Sequence, residues 1–163
     1  MAIRNIRKEE DKILRKISRE VTKFDSKLHQ LLDDMAETMY EAPGIGLAAV
    51  QVGILKRAAV IDTGEGVIEV INGKITYAEG EKEEVEGCLS IPDVYGKVIR
   101  PEKVTVNYQN RNGEKKVIEA TELLAVALCH ELDHFDGVLF IDKVVEYINF
   151  DSSDEEEEDN KEI

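Results

Sequence analysis

The stretch Thr121-Glu122-Leu123-Leu124-Ala125-Val126-Ala127-Leu128-Cys129-His130-Glu131-Leu132-Asp133-His134-Phe135 decides how the rest of this chain is read. Its first part is apolar nearly all round, which predicts a central, buried helix over 121–135 with Thr121 as N-cap. Side chains four apart on a helix project from one face, one turn apart. His130 and His134 can therefore reach a single ion, and Glu131 stands beside the first of them, where a carboxylate can take a proton from a water on that ion. A solvent-facing helix that merely carries these letters is the ordinary alternative. It fits poorly, because the residues just before the histidines belong to a core helix, and imidazoles and acids buried there need partners.

Working outward, residues 25–42 predict a second amphipathic helix. Asp25 or Ser26 caps it, Leu28, Leu31, Leu32, Met35 and Met39 form one apolar stripe, and Pro43-Gly44 ends it. A shorter helix over about 10–20 is expected from Ile13, Leu14, Ile17 and Val21. Between the helices the period changes. Residues 57–62, 67–71, 75–79, 95–100 and 103–109 are short and rich in Val, Ile and Tyr, as strands are. Asn72-Gly73 and Asn112-Gly113 each lie between such runs, and Asn-Gly is a strong hairpin signal. The order helix, helix, strands, helix gives an α+β fold, with antiparallel sheets packed around the helix of 121–135.

The 163 residues fit one domain, read as 1–148, followed by an acidic tail over 149–163. The last thirteen residues, DSSDEEEEDNKEI, hold eight acids and one lysine, half of the net charge of −14. So acidic and apolar-poor a tail is expected to be disordered. No basic stripe offers a nucleic-acid surface, and no apolar run is long enough for a membrane span. The start, MAIRNIRKEEDK, lacks an apolar signal core, so a cytoplasmic setting is expected, with Cys88 and Cys129 reduced.

A catalytic centre of this kind needs a third protein ligand and an open position. Three residues compete. Phe140 stands where one class of zinc peptidase has its third histidine, and cannot ligate. Glu146 stands where thermolysin-like enzymes use a glutamate. Cys88, in Glu86-Gly87-Cys88-Leu89-Ser90, offers a soft thiolate on a glycine-containing turn; its ordinary alternative is a buried structural cysteine. The remaining distinctive segment, Gly44-Ile45-Gly46-Leu47-Ala48-Ala49-Val50-Gln51, lacks the Lys-Ser/Thr of a phosphate loop. Its glycines and small residues instead predict the wall of a narrow site, with the Gln51 amide as a donor.

Together, GIGLAAVQ (44–51), EGCLS (86–90) and HELDH (130–134) resemble the three signatures of the peptide deformylases, in that family's order and spacing. The resemblance runs over roughly residues 10–145. It implies removal of the formyl group from the N-terminal formyl-methionine of newly made proteins. It also implies one divalent metal, typically Fe²⁺ with Zn²⁺, Ni²⁺ or Co²⁺ in its place, held by Cys88, His130 and His134. Glu131 matches the general acid/base, and Gln51 and the Leu89 N–H match the oxyanion donors. Gly44 and Gly46 fall at the narrow wall, Gly46 where the family contacts substrate backbone. Ile45, Glu86, Leu123, Val126 and Ala127 fall where the family lines the methionine pocket. The chain departs from the pattern at Asn72-Gly73, at Cys129, where a glutamine is common, and at Tyr95, where some members carry arginine. The acidic end departs most. RNA would repel it, so ribosome docking through a basic C-terminal helix is not expected.

Overall fold

A computed structural model describes residues 2–149 and 163; all but the first and last residues of the acidic tail expected over 149–163 lie outside the described residues. The first long helix, α1 (Ser26–Glu41), begins where Asp25 accepts a hydrogen bond from the Leu28 N–H at 3.1 Å. Its expected stripe of Leu28, Leu31, Leu32, Met35 and Met39 is wholly buried. Helix α2 (Glu122–Phe135) follows Thr121, which occupies the N-cap position without a side-chain bond. Among the described residues no helix is long and apolar enough to cross a membrane.

Two antiparallel sheets complete the α+β fold. The larger contains, in spatial order, β1 (Gly46–Ala48), β2 (Ala58–Ile61), β3 (Ile68–Glu79), β6 (Lys103–Gln109) and β7 (Lys115–Thr121). The smaller contains β4 (Lys82–Cys88), β5 (Ile91–Arg100) and β8 (Val144–Ile148). Alternation along β2 splits the core: Ala58 and Val60 pack in the cluster built on α1, and Ala59 and Ile61 in the cluster built on α2. Successive strand side chains point to opposite faces, so this short run is buried on both sides. Helix α2 thereby lies against the large sheet, with the small sheet beside it.

Three expectations change. The helix expected over 10–20 is only a 3-10 turn at Lys12–Arg15; Leu14 and Val21 are buried but Ile17 is exposed. Past this turn the main chain bonds to neighbours instead of to itself, Ser18 N–H to the Phe135 carbonyl and Arg19 N–H to that of Leu55. His29, off the apolar stripe expected for α1, is nonetheless half-buried, with Nε2 2.8 Å from the Arg111 carbonyl oxygen. Asn72-Gly73 is not a hairpin turn. It lies inside β3, at a register shift between Ile71 and Lys74, whereas Asn112-Gly113 does turn β6 into β7.

The physical reason for the first Asn-Gly lies in what it touches. Asn72 takes φ 54°, a left-handed conformation that asparagine tolerates. Its side chain accepts from the Val21 N–H and donates to the Val21 carbonyl, both at 2.8 Å, and donates to Gln109 Oε1 at 2.9 Å. A methyl on Gly73 would come within 2.8 Å of Leu132 Cδ2, so this glycine lets α2 approach the strand. The pair anchors the N-terminal segment and seats the helix.

Replacing Asn72 with alanine strips both Val21 backbone groups of their partner. Leaving such groups unsatisfied costs about 1–3 kcal/mol. A urea titration should show the midpoint of Asn72→Ala lowered accordingly, and an unchanged midpoint would remove the anchoring role.

Candidate metal centre

Cys88 ends β4 just before the turn at Leu89-Ser90, and His130 and His134 stand one turn apart on α2. All three are buried, and their donor atoms lie within 4.8 Å of one another. Cys88 Sγ is 3.6 Å from His134 Nε2, which is 3.3 Å from His130 Nε2. Ligands about 2.0–2.3 Å from one tetrahedral ion must sit roughly 3.3–3.8 Å apart, so these separations suit a shared metal. The donor chemistry agrees. His130 Nδ1 is 2.9 Å from a Glu86 carboxylate oxygen, which can only accept. The ring proton is therefore on Nδ1, and the Nε2 lone pair faces the cluster. Both cysteines are free thiols, so no disulfide competes for Cys88.

The rival ligands lie elsewhere. Glu146 is on β8, with its carboxylate 3.3 Å from Lys97 Nζ and largely exposed. Phe140 is buried and stacks on His130, with ring centroids 6.1 Å apart. Cys129 is buried but outside the cluster, and burial pushes its thiol up to about 11.

Around the donors, Gln51 is fully buried in a 3-10 turn, Ala49–Val52. Its Oε1 accepts from the Ala48 N–H at 2.9 Å, which orients the amide. Nε2 then donates to Ser90 Oγ at 3.1 Å and faces Cys88 Sγ at 3.5 Å. Glu131 is 1% exposed, and neither carboxylate oxygen has a hydrogen-bond partner among the described residues. Burial pushes this carboxyl up to about 7, well suited to moving protons at neutral pH. His134 Nδ1 also lacks a partner among the described residues. The Leu89 N–H points to the main-chain oxygen of Ile163 at 3.4 Å, and the Ile163 N–H donates to the Gly87 carbonyl at 3.1 Å. The backbone beside Cys88 is thus able to hold a strand-like segment.

The expected wall residues divide. Gly44, Ile45 and Leu123 line a cleft of about 440 Å³ together with Tyr40, Pro43 and Asp62. Val126 and Ala127 are buried in the α2 core. Gly46 lies against the Glu131 carboxylate. Glu86 is fully buried and turned toward charge: Arg100 grips both its oxygens at 2.7 and 2.9 Å. Burial alone would push the Glu86 carboxyl up, but the Arg100 and His130 bonds prevail and hold it at about 2. Arg100 also donates to Asp133 at 2.8 Å, and Lys143 reaches the same carboxylate at 3.2 Å.

Sequence reasoning missed Arg100, Asp133 and Ser90 as partners of the site. Asp133 carried a signal, being an acid in a core helix with no partner nearby in sequence. Arg100 carried none, since one cation at the end of a Val/Ile strand reads as an exposed edge.

Comparison with known proteins agrees with this geometry. Residues 3–149 match the family profile described as polypeptide deformylase. The chain is 55% identical over 161 residues to a peptide deformylase of Acetivibrio thermocellus, covering 99% of this chain and 95% of the relative. It is 60% identical over 149 residues to one from Caldicellulosiruptor bescii, covering 91% and 90%. The crystal structure of peptide deformylase from Thermotoga maritima superposes with a TM-score of 0.87 at 41% identity, covering 88% of this chain and 99% of that one.

The Glu86–Arg100 pair is buried, and removing one partner strands a buried charge at a cost of about 3–5 kcal/mol. Arg100→Ala is expected to lower stability by that amount in chemical denaturation. A loss below about 1 kcal/mol, the range of an exposed pair, would contradict this account.

Proposed function

The chain belongs to the polypeptide deformylase family, and on that premise we propose how its own residues carry out the family's reaction. It is a hydrolase that removes the N-formyl group from the N-terminal formyl-methionine of newly made proteins, releasing formate. Its metal-binding ligands are proposed as Cys88, His130 and His134. The observation that carries this reading is the convergence of one thiol and two imidazole Nε2 atoms inside an apolar core, drawn from separate elements. We infer Fe²⁺ as the resident ion from the family resemblance, and Zn²⁺, Ni²⁺ or Co²⁺ as able to stand in, because a mixed thiolate–imidazole donor set accommodates all four. Bound there, the metal would lower the pKa of water and polarise the formyl oxygen.

The remaining steps fall to side chains and backbone. Glu131 accepts the proton of the attacking water, having no other hydrogen-bond partner to give up among the described residues. Water oxygen adds to the formyl carbon. The developing oxyanion takes hydrogen bonds from the Gln51 amide, which the Ala48 N–H orients, and from the Leu89 N–H once substrate displaces the Ile163 oxygen it meets. Glu131 then delivers its proton to the methionine nitrogen as the C–N bond breaks, giving formate and a free amine. Glu86 and Arg100 keep the His130 ring in the tautomer that leaves Nε2 open. Ile45, Glu86, Leu123, Val126 and Ala127 are assigned to the methionine side and Gly44 to the wall of the site, supported by the cleft that Gly44, Ile45 and Leu123 line.

The reaction belongs in the cytoplasm, where formylated chains emerge from the ribosome. Approach to the ribosome through the acidic end is disfavoured, because its eight acids would be repelled by RNA. The catalytic unit is assigned to residues 1–148.

Two variants test the assignment. Glu131→Ala should lower kcat for formyl-Met-Ala-Ser by at least about 10²-fold, the scale of general acid–base catalysis, while metal stoichiometry is retained. Retained turnover would refute the role of Glu131. Cys88→Ser should lose tightly bound metal and formate release together. A thermolysin-like centre ligated by Glu146 would instead keep its metal in Cys88→Ser and cleave internal peptide bonds.

A further inference from the structure

A carboxylate that moves protons must be held in place, yet Glu131 has no hydrogen bond to hold it among the described residues. What meets it is main chain. A methyl group built on Gly46 would overlap Glu131 Oε2 and lie 3.0 Å from Cδ and 3.3 Å from Cγ. The bare Cα of Gly46 is therefore packed directly under the carboxylate. Residue 46 does not need to be glycine for backbone reasons, since its φ is not among the positive values in the chain. The space taken by Glu131 accounts for it.

Neither partner can step back easily. Gly46 is pinned in β1 opposite Ile61, with Leu47 and Ala48 paired to Val60 and Ala59. Ala48 is further tied to Gln51 Oε1. Glu131 is fixed at its Cα in the buried middle of α2, between His130 and Leu132. Only the end of the Glu131 side chain is free to yield.

We propose that Gly46 is a positioning residue for Glu131, its missing side chain forming the seat that aims the carboxylate at the reacting water. The inference rests on the general acid/base role given to Glu131 above, and goes beyond the expected contact of Gly46 with substrate backbone. A side chain at residue 46 pushes the carboxylate aside by on the order of 1 Å, the difference between overlap and ordinary van der Waals contact. Misplacement of that size can cost about 10²-fold in rate. The fold tolerates the change, because the atom displaced is the far end of a flexible side chain.

The test compares Gly46→Ala, Glu131→Asp and the double variant, each metal-loaded, for kcat, KM, metal stoichiometry, thermal midpoint and crystal structure. Gly46→Ala is expected to lose about 10²-fold in kcat, with KM, metal content and thermal midpoint unchanged and the carboxylate visibly displaced. Aspartate is one methylene shorter and has no atom at the Oε2 position, which removes the closest overlap, so adding Gly46→Ala to Glu131→Asp should cost much less than adding it to the wild type. Several outcomes would overturn the proposal: wild-type kcat in Gly46→Ala, a carboxylate that has not moved, a rise in KM alone, or losses that multiply in the double variant. Turnover retained in Glu131→Ala would strike the catalytic assignment itself. An inactive Glu131→Ala beside a fully active Gly46→Ala would leave that assignment standing and remove only this inference.

Discussion

Helix α2 carries two imidazoles and a carboxylate through the driest part of the molecule, and the demand that buried polar groups find partners organises much of what surrounds it. An unpaired polar group in an apolar core costs several kcal/mol, and an unpaired charge more. The fold answers from outside the helix. Glu86 comes from the small sheet to meet His130, and Arg100 neutralises Glu86. Asp133, one helix position from His134, takes a second Arg100 bond and faces Lys143 toward the surface. The chain of contacts runs from solvent to the donor cluster without leaving a lone charge along the way.

Where that satisfaction stops, the chemistry starts. Among the described residues, the atoms left without partners at the centre are the Glu131 oxygens and His134 Nδ1. A carboxyl with no hydrogen bond and no solvent is raised by burial toward neutral pH, so it can both take and return a proton. Glu86, two residues before Cys88, has the opposite environment and stays ionised at about 2. Two glutamates a few residues from the donors thus carry different chemistry because Arg100 hydrogen-bonds one carboxylate and leaves the other without such a bond.

Much of this was legible in the sequence where the signal was local. The apolar stripe from Leu28 to Met39 and the all-round apolar start of α2 fixed both helices, and HELDH, EGCLS and GIGLAAVQ pointed to the donor residues. Most of the failures share a cause: they depended on a partner far away in the chain. Ile13, Leu14 and Ile17 look helical until Phe135 and Leu55 claim the backbone of Ser18 and Arg19. Asn72-Gly73 looks like a turn until Val21 and Leu132 are known to press on it. Strand β4 was hidden by its charge, Lys-Glu-Glu-Val-Glu, since a strand at the rim of a three-stranded sheet can carry polar residues on both faces at its start. Arg100 could not be singled out, because its importance lies in Glu86 and Asp133.

The donors come from two different sheet systems. Cys88 terminates a strand of the small sheet, whereas the two histidines ride on the helix packed against the large one. An ion held by all three would act as a rivet through the seam between them. Anything that binds only the native state adds to its stability in proportion to the logarithm of its concentration over its dissociation constant. The molecule's cohesion and its chemistry would then share one fastener, and oxidation of the Cys88 sulfur would loosen the seam in the same event that silences the reaction.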